Sequence, residues 1–454
     1  MSRPRRCSRG GSPCGYRSIP RSASATCGCG RIRRRARRSW PKRSPRRPTR
    51  RKIPRTSPGS LPSRCRTRSP SCFTPTRKRT DRLIRIAHVL DGHCGETELS
   101  PLRWLLDRLP ADRYAQSVAL VDPRARTRIE AVLGRRVWPV SRRFSLPFVS
   151  APPLRGLCRA NSIELLHAWG VDALGVCRVA AGERSLVASV LRPSAIEPAA
   201  RWIRQCEPLS AVIVDSQTAR ARLLACGGPI DRVVVIRPAV DFGAINAARR
   251  SDLRSRLTGD AGPVILTPGP AIRGDGQFEA AWATAILRLI HPRVRLILPG
   301  ESRELVRVRH LFAAAGMDDV LLATGDEFRW SQLVSVADML LLCPSAEAAT
   351  EPIAWAMAAG LTIVGVARRS IAELIADRSN GLLCKSNKPL RVAAVALRAL
   401  EDQPLRRRLG EVARGQAYDV FSLRAFVDNH RAIYDNVVAG RPVADDVRDT
   451  AMVA

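Results

Sequence analysis

Two carboxylates, Glu347 and Glu351, stand in a loop between an apolar run and a short helix. The run Met339 to Leu342 ends at Pro344-Ser345, which reads as a buried strand entering a loop. Pro352 opens the helix and Gly360 closes it, the usual placement of these two residues. Leu361 to Val366 is the next buried strand. Strand, acidic loop, helix and strand form half of a parallel α/β unit. Such sheets bind ligands beyond the carboxyl ends of their strands, and a helix N-terminus there attracts anions. Glu351 reads equally well as a solvated acid at a helix start.

Three further stretches carry candidate chemistry. The loop Pro268-Gly-Pro-Ala-Ile-Arg-Gly-Asp-Gly276 follows the strand Val264–Thr267 and offers Gly269, Arg273 and Gly276. The loop Asp91-Gly-His-Cys-Gly-Glu-Thr-Glu98 follows the strand Ile84–Leu90 and offers Gly92, His93, Gly95 and Glu96. A glycine-rich turn after a strand is also simply a tight turn. His167 ends the strand Ile163–His167, where a lone histidine is more often structural than catalytic.

Pro344-Ser345, Glu347 and Ala356-Met-Ala-Ala-Gly360 resemble, in order and spacing, the donor-sugar signature of GT-B glycosyltransferases of group 1, the retaining family 4. Smaller matches occur in the expected order: Val240-Asp241 at the interdomain connector, Pro299-Gly300, Ala337-Asp338, Glu373 and Asn380-Gly381. The resemblance covers roughly residues 84–438. It implies that Glu347 touches the donor hexose, with His167 as a second catalytic residue. It implies a donor site of Gly269, Arg273, Gly276, Glu351, Trp355 and Glu373, and an acceptor-side loop of Gly92, His93, Gly95 and Glu96. The substrate implied is a UDP- or GDP-sugar, with no cofactor and no metal. The implied acceptor is a glycan or lipid-linked hydroxyl, reached in the cytoplasm, with peripheral contact at the inner membrane surface.

The match has gaps. The family's second Glu falls at Trp355, its loop glycines near Ala348 and Thr350, and its diphosphate-binding Arg and Lys at Pro270 and Asp275. A carboxylate against a diphosphate costs on the order of 1–4 kcal/mol in a wet site; Arg273 is the candidate substitute cation. Indole cannot accept the two ribose hydroxyls that a carboxylate would. Trp355 therefore either fills the nucleotide pocket or offers a stacking face to a base or sugar; occlusion is the favoured reading, with Trp355 largely buried and nucleotide sugars bound weakly or not at all. Two functions follow: a retaining transferase, or a catalytically inactive GT-B protein that binds a glycan, lipid or protein.

These residues need a scaffold, and the pattern supplies one. Strand-like runs alternate with helical ones from Ile84 onward, the rhythm of doubly wound sheets. The expected fold class is α/β, with two Rossmann-like domains at 84–238 and 239–420 facing a cleft. A helix over 421–438 crosses back to the first domain. Ser216 is expected to cap the helix over Thr218–Cys226. The helix over Gln277–Ile290 is expected to pack Phe278, Trp282, Ile286 and Leu289 on the sheet.

The formal charge is +36, from 76 Lys and Arg against 40 Asp and Glu. Residues 1–80 hold 26 of the bases and no acid, so the body carries only +10. That extension is too poor in aliphatic residues to fold and is expected to be disordered, as a basic arm, a targeting peptide or a mis-assigned start. A specific nucleic-acid binder is disfavoured, because the basic excess lacks interleaved aromatics and stays out of the body. The 13 Cys contain no CxxC pair and no zinc spacing, so free thiols are expected. No apolar run reaches the length of a spanning helix. Residues 440–454 read as frayed.

Overall fold

The computed structural model describes residues 82–443, apart from 93, 141–146, 260–261 and 326. The Arg-rich extension, His93 and the last residues of the chain lie outside the described residues.

The first domain holds β1 (Ile84–Leu90), β2 (Tyr114–Leu120), β3 (Trp138–Pro139), β4 (Leu165–Trp169), β5 (Ser185–Ser189), β6 (Leu209–Val214) and β7 (Val233–Val235). They form one parallel sheet in the order β3-β2-β1-β4-β5-β6-β7. The second domain holds β8 (Val264–Leu266), β9 (Arg295–Pro299), β10 (Leu321–Thr324), β11 (Met339–Leu342), β12 (Thr362–Val366) and β13 (Leu382–Cys384). Its parallel order is β10-β9-β8-β11-β12-β13. The strands read as unbroken apolar runs because helices cover both faces of each sheet. The strand order reverses beside β1 and beside β8, which opens a crevice at each switch point.

One hydrophobic core serves both sheets. It runs from Ile86 and Leu90 of β1 through Trp104, Trp355 and Phe426 to Leu340 and Leu342 of β11. Each sheet has a second core of its own on the opposite face. The chain crosses between the domains twice, and the crossings touch. Val240 N–H donates to the Phe421 carbonyl at 3.1 Å, and Val240 bridges to Ser422. The helix Leu423–Val438 then returns to the first sheet.

That helix settles the role of His167. The Tyr434 hydroxyl lies 2.7 Å from His167 Nδ1, and the Ser189 hydroxyl lies 2.8 Å from Nε2. His167 is fully buried, and burial, helped by His88 and His430, holds its pKa well below the ordinary value. Both nitrogens of a neutral imidazole are thus spent inside the fold. His167 lies in the middle of β4, not at its end, and its side chain is bound within the fold, away from the catalytic role that the family resemblance implied.

The helix Gln277–Arg288 follows its reading only in part: Phe278 and Ile286 pack against the core of the second domain. It buries Ala280, Ala281, Ala283, Thr284 and Leu287, while Trp282 is 48% exposed and Leu289, just beyond its end, is 74% exposed. Both faces are apolar, so periodicity could not choose between them. The small residues face inward because they allow the closest approach to the sheet. Ser216 does cap its helix, Gln217–Ala225, accepting from Ala219 N–H at 3.1 Å.

Replacing Tyr434 with Phe removes one of the two bonds to His167 and strands a buried ring nitrogen. Urea denaturation of Tyr434→Phe is expected to show a loss of about 1–3 kcal/mol, the cost of an unpaired buried polar group. A change near zero would mean that the Tyr434–His167 bond contributes nothing net, leaving the terminal helix to its apolar face and to Asp435, which bonds Tyr114 and Arg113.

Candidate active site

A cleft lies between the domains, where the carboxyl ends of the two sheets face each other. It encloses about 1250 Å³ of space, open mouth included. The first domain contributes Gly95, Glu96 and Thr97 after β1, Arg128, and Arg192 with Ser194 after β5. The second contributes the 268–277 loop, Pro299-Gly300, Phe328 and Trp330 after β10, and Glu347 with Ala348 and Ala349 after β11.

Close backbone approaches build the floor. A Cβ on Gly276 would lie 2.1 Å from the Cys343 carbonyl oxygen, and its φ is +94°. Only glycine fits there. Gly269 likewise presses on the Pro299 carbonyl, where a Cβ would come within 1.7 Å. Ser345 ties the two loops together, its N–H and its hydroxyl donating to the Gly274 carbonyl at 2.9 and 2.7 Å. Gly269 lines the cleft, whereas Gly276 works one layer below it.

Glu347 lines the cleft where the sequence puts it, just past β11. Its Oε2 accepts the Ser370 N–H at 2.8 Å, and Ser370 Oγ accepts the Ala348 N–H at 2.9 Å. Gly95 and Glu96 face it from the first domain, but Gly92 packs against Asp122 instead.

Four expected donor-site residues stand elsewhere. Arg273 is exposed on its loop and is not among the residues lining the cleft. Glu373 spends its carboxylate on the first domain, accepting from Gln217 N–H at 2.8 Å, Thr218 N–H at 2.9 Å and the Thr218 hydroxyl at 2.8 Å, and pairing with Arg237. Burial raises its pKa, but those amides and Arg237 outweigh it, and the net shift is downward. Trp355 is 3% exposed, as expected, yet it does not fill the cleft. Its indole packs on Trp104, with ring centroids 6.1 Å apart, beside a smaller cavity behind the helix Glu96–Arg108. Glu351 is neither a donor ligand nor a solvated acid; it is buried in the seam. Burial, and next the Glu96 charge, push its pKa up to about 8. Thr97 and Trp355 oppose that shift weakly, since neither Glu351 oxygen nor Trp355 Nε1 has a hydrogen bond of normal geometry.

The cations lining the cleft come from the first domain. Glu98 grips Arg192 at 2.6 and 2.8 Å and also accepts the Gly95 N–H at 2.9 Å, so the salt bridge and the helix cap are one unit. Arg128 reaches the Cys94 carbonyl at 2.8 Å. Asp275 lines the opposite wall, and burial raises its pKa against the pull of Arg192. Arg128, Arg192, Phe328 and Trp330 were missed in the sequence. Their one signal was position, since Arg192, Phe328 and Trp330 follow the ends of parallel strands. Among the described residues no cluster of metal-ligating side chains occurs, and the seven cysteines are free. No described helix is long and apolar enough to cross a membrane.

Solved structures share this arrangement. Anabaena HepE in complex with UDP-glucose superposes with a TM-score of 0.65 at 20% identity, covering 79% of this chain and 100% of that one. Sucrose-phosphate synthase from Thermosynechococcus elongatus gives 0.63 at 16% identity, covering 79% and 100%. The fold is GT-B. Residues 251–416 match the family model of the glycosyl transferases group 1, so the second domain of this GT-B chain carries a group 1 domain. A curated relative, N-acetyl-α-D-glucosaminyl L-malate synthase of Bacillus anthracis, is 28% identical over 144 residues. That alignment covers 32% of this chain and 38% of the relative.

The buried Glu351 gives a signed pH dependence. Its folded pKa, about 8, lies above its ordinary 4.5, so folding favours the protonated acid. Its contribution is fully present below about pH 4.5 and fades as pH rises towards 8. Glu351→Gln should therefore gain stability relative to wild type between pH 5 and pH 8, by about 2–4 kcal/mol across that interval. Comparing the two pH values cancels the constant cost of burying the amide. Parallel stability curves would place an ionised, paired Glu351 in the seam.

Proposed function

We propose that the protein is a retaining glycosyltransferase that moves a hexose from a UDP-sugar to the hydroxyl of an acceptor. The observation that carries this reading is Glu347, held by Ser370 in the interdomain cleft, inside the segment matched by the group 1 model. The structures of HepE with UDP and UDP-glucose support the choice of donor. In the reaction the bond from the anomeric carbon to the diphosphate oxygen breaks. The acceptor oxygen bonds to that carbon, and its proton leaves towards the departing diphosphate. Glu347 orients the hexose. Phe328 and Trp330 offer aromatic surface to the base. The N-terminus of the helix Glu351–Ala359 and Arg192 supply positive potential for the diphosphate.

The alternative, a GT-B module without activity, draws on one observation: Asp275 and Pro270 occupy the cleft wall where the group 1 pattern has cations. Calorimetric titration with UDP, UDP-glucose and GDP-sugars separates the two. UDP and UDP-glucose are expected to bind. Asp275→Lys is expected to tighten UDP by roughly tenfold, because it turns repulsion of order 1 kcal/mol into attraction. Glu347→Gln should leave UDP affinity nearly unchanged and abolish sugar transfer. No binding of any nucleotide by wild type or Asp275→Lys would favour the inactive module. Restoring a carboxylate at position 355 is not the remedy, since it would bury a second acid beside Glu351.

A further inference from the structure

We propose that the seam between the domains positions Glu347, with Thr350, Asp215, Glu373 and Ser370 as its positioning residues. The proposal rests on the reading of Glu347 as the residue that orients the donor sugar.

The bonds form a closed circuit. Glu347 Oε2 accepts from Ser370 N–H, and Ser370 Oγ accepts from Ala348 N–H. Ser370 lies in the short helix Arg369–Ala372, which runs directly into Glu373. Glu373 crosses the seam and takes the Gln217 and Thr218 amides that open the helix Gln217–Ala225. Ser216, which caps that helix, donates its hydroxyl to Asp215 Oδ1 at 2.9 Å. Asp215 crosses back: its Oδ2 accepts from the Thr350 hydroxyl at 2.6 Å and from the Thr350 N–H at 3.3 Å. Thr350 belongs to the same loop as Glu347, and the circuit closes on the residue where it began.

Each domain thus lends a carboxylate to the other, and both bridges end within the short stretch of chain that aims Glu347. Asp215 and Thr350 are buried, so water does not replace their bond while the seam is closed. A buried donor and acceptor that lose each other are costly. The loop carrying Glu347 therefore has its low-energy shape only when both crossings are made. The apolar core shared by the domains favours contact between them but does not by itself set the shape of the Glu347 loop. A ring of hydrogen bonds makes the geometry at Glu347 a consequence of closure.

The direct test is Thr350→Val, which keeps the shape and removes the donor; Thr350→Ser keeps the hydroxyl. Glu373→Gln opens the circuit at the other crossing and serves should Thr350→Val fold poorly. Hydrogen–deuterium exchange of the full chain, without nucleotide, reads the circuit. Loss of the Thr350 hydroxyl is expected to raise exchange at the Ser370 amide, which reports the Glu347 contact from the far side of the ring. Unchanged protection at Ser370 in both Thr350→Val and Glu373→Gln overturns the proposal, whatever the donor is. Hydrolysis of UDP-glucose without acceptor supplies the second reading. Thr350→Val should lose about tenfold or more in kcat with KM within about threefold, and Thr350→Ser should recover most of it. A faster-exchanging seam with unchanged kcat would make the circuit merely structural and overturn the proposal. Wild type that neither binds nor hydrolyses UDP-glucose refutes the donor reading instead, and the exchange experiment still decides the circuit.

Discussion

Two parallel sheets that face each other through their carboxyl ends leave loop amides and helix N-termini pointing into one shared space. Those N–H groups must be satisfied, by the protein or by a ligand. The structure depends on how they are divided. Glu373 takes the amides of the Gln217–Ala225 helix, Asp215 takes Thr350, and Glu98 takes Gly95. The Glu373 and Asp215 bonds cross between the domains and make the seam, whereas Gly95, Gly269, Ala348 and Ala349 line the cleft beside it.

Behind the seam the attachment is apolar. Trp355, Trp104 and Phe426 belong to the core that spans both domains, and Trp104 meets Phe426 edge-on at 5.9 Å. This core buries ionisable groups in their neutral forms. Burial lowers His88 and His430 to about 4 and His167 well below its ordinary value, and it raises Glu351 to about 8. The signs oppose each other. The histidines weaken the fold as pH falls below 6.5, where the unfolded chain takes up protons and the core does not. Glu351 weakens it as pH rises. The fold is therefore squeezed from both sides of a neutral window.

The charge on the cleft is distributed differently from the group 1 pattern. The second domain presents Asp275 where the pattern has a lysine, and the guanidinium groups of Arg192 and Arg128 line the cleft from the first domain. The Glu98 carboxylate holds Arg192 at two points, which aims it at the cost of part of its charge. A diphosphate in this cleft would meet its positive potential from across the domain gap, and its affinity would depend on closure.

The sequence by itself determined the elements and their order. β1 and β11 begin and end at the residues read from their apolar runs, and Pro352 and Gly360 bracket their helix because proline lacks an N–H and glycine tolerates positive φ. Glu347 was legible because Pro344-Ser345 and Ala356–Gly360 resemble the group 1 signature at the spacing that puts a glutamate there. The strands Trp138–Pro139 and Leu382–Cys384 were not legible: neither is the unbroken β-branched run that marks the equally short Val233–Val235. Only the tertiary structure decided which polar side chains reach the cleft. His167 lies mid-strand, Glu351 starts a helix and Glu373 ends one, yet each is claimed by a partner or a core distant in sequence: Tyr434, the Trp104 layer and the Gln217 amide. Arg192 looked unremarkable until Glu98 turned it inward. Periodicity is a property of one segment, whereas burial and pairing belong to two, and the second segment is known only once the chain has folded.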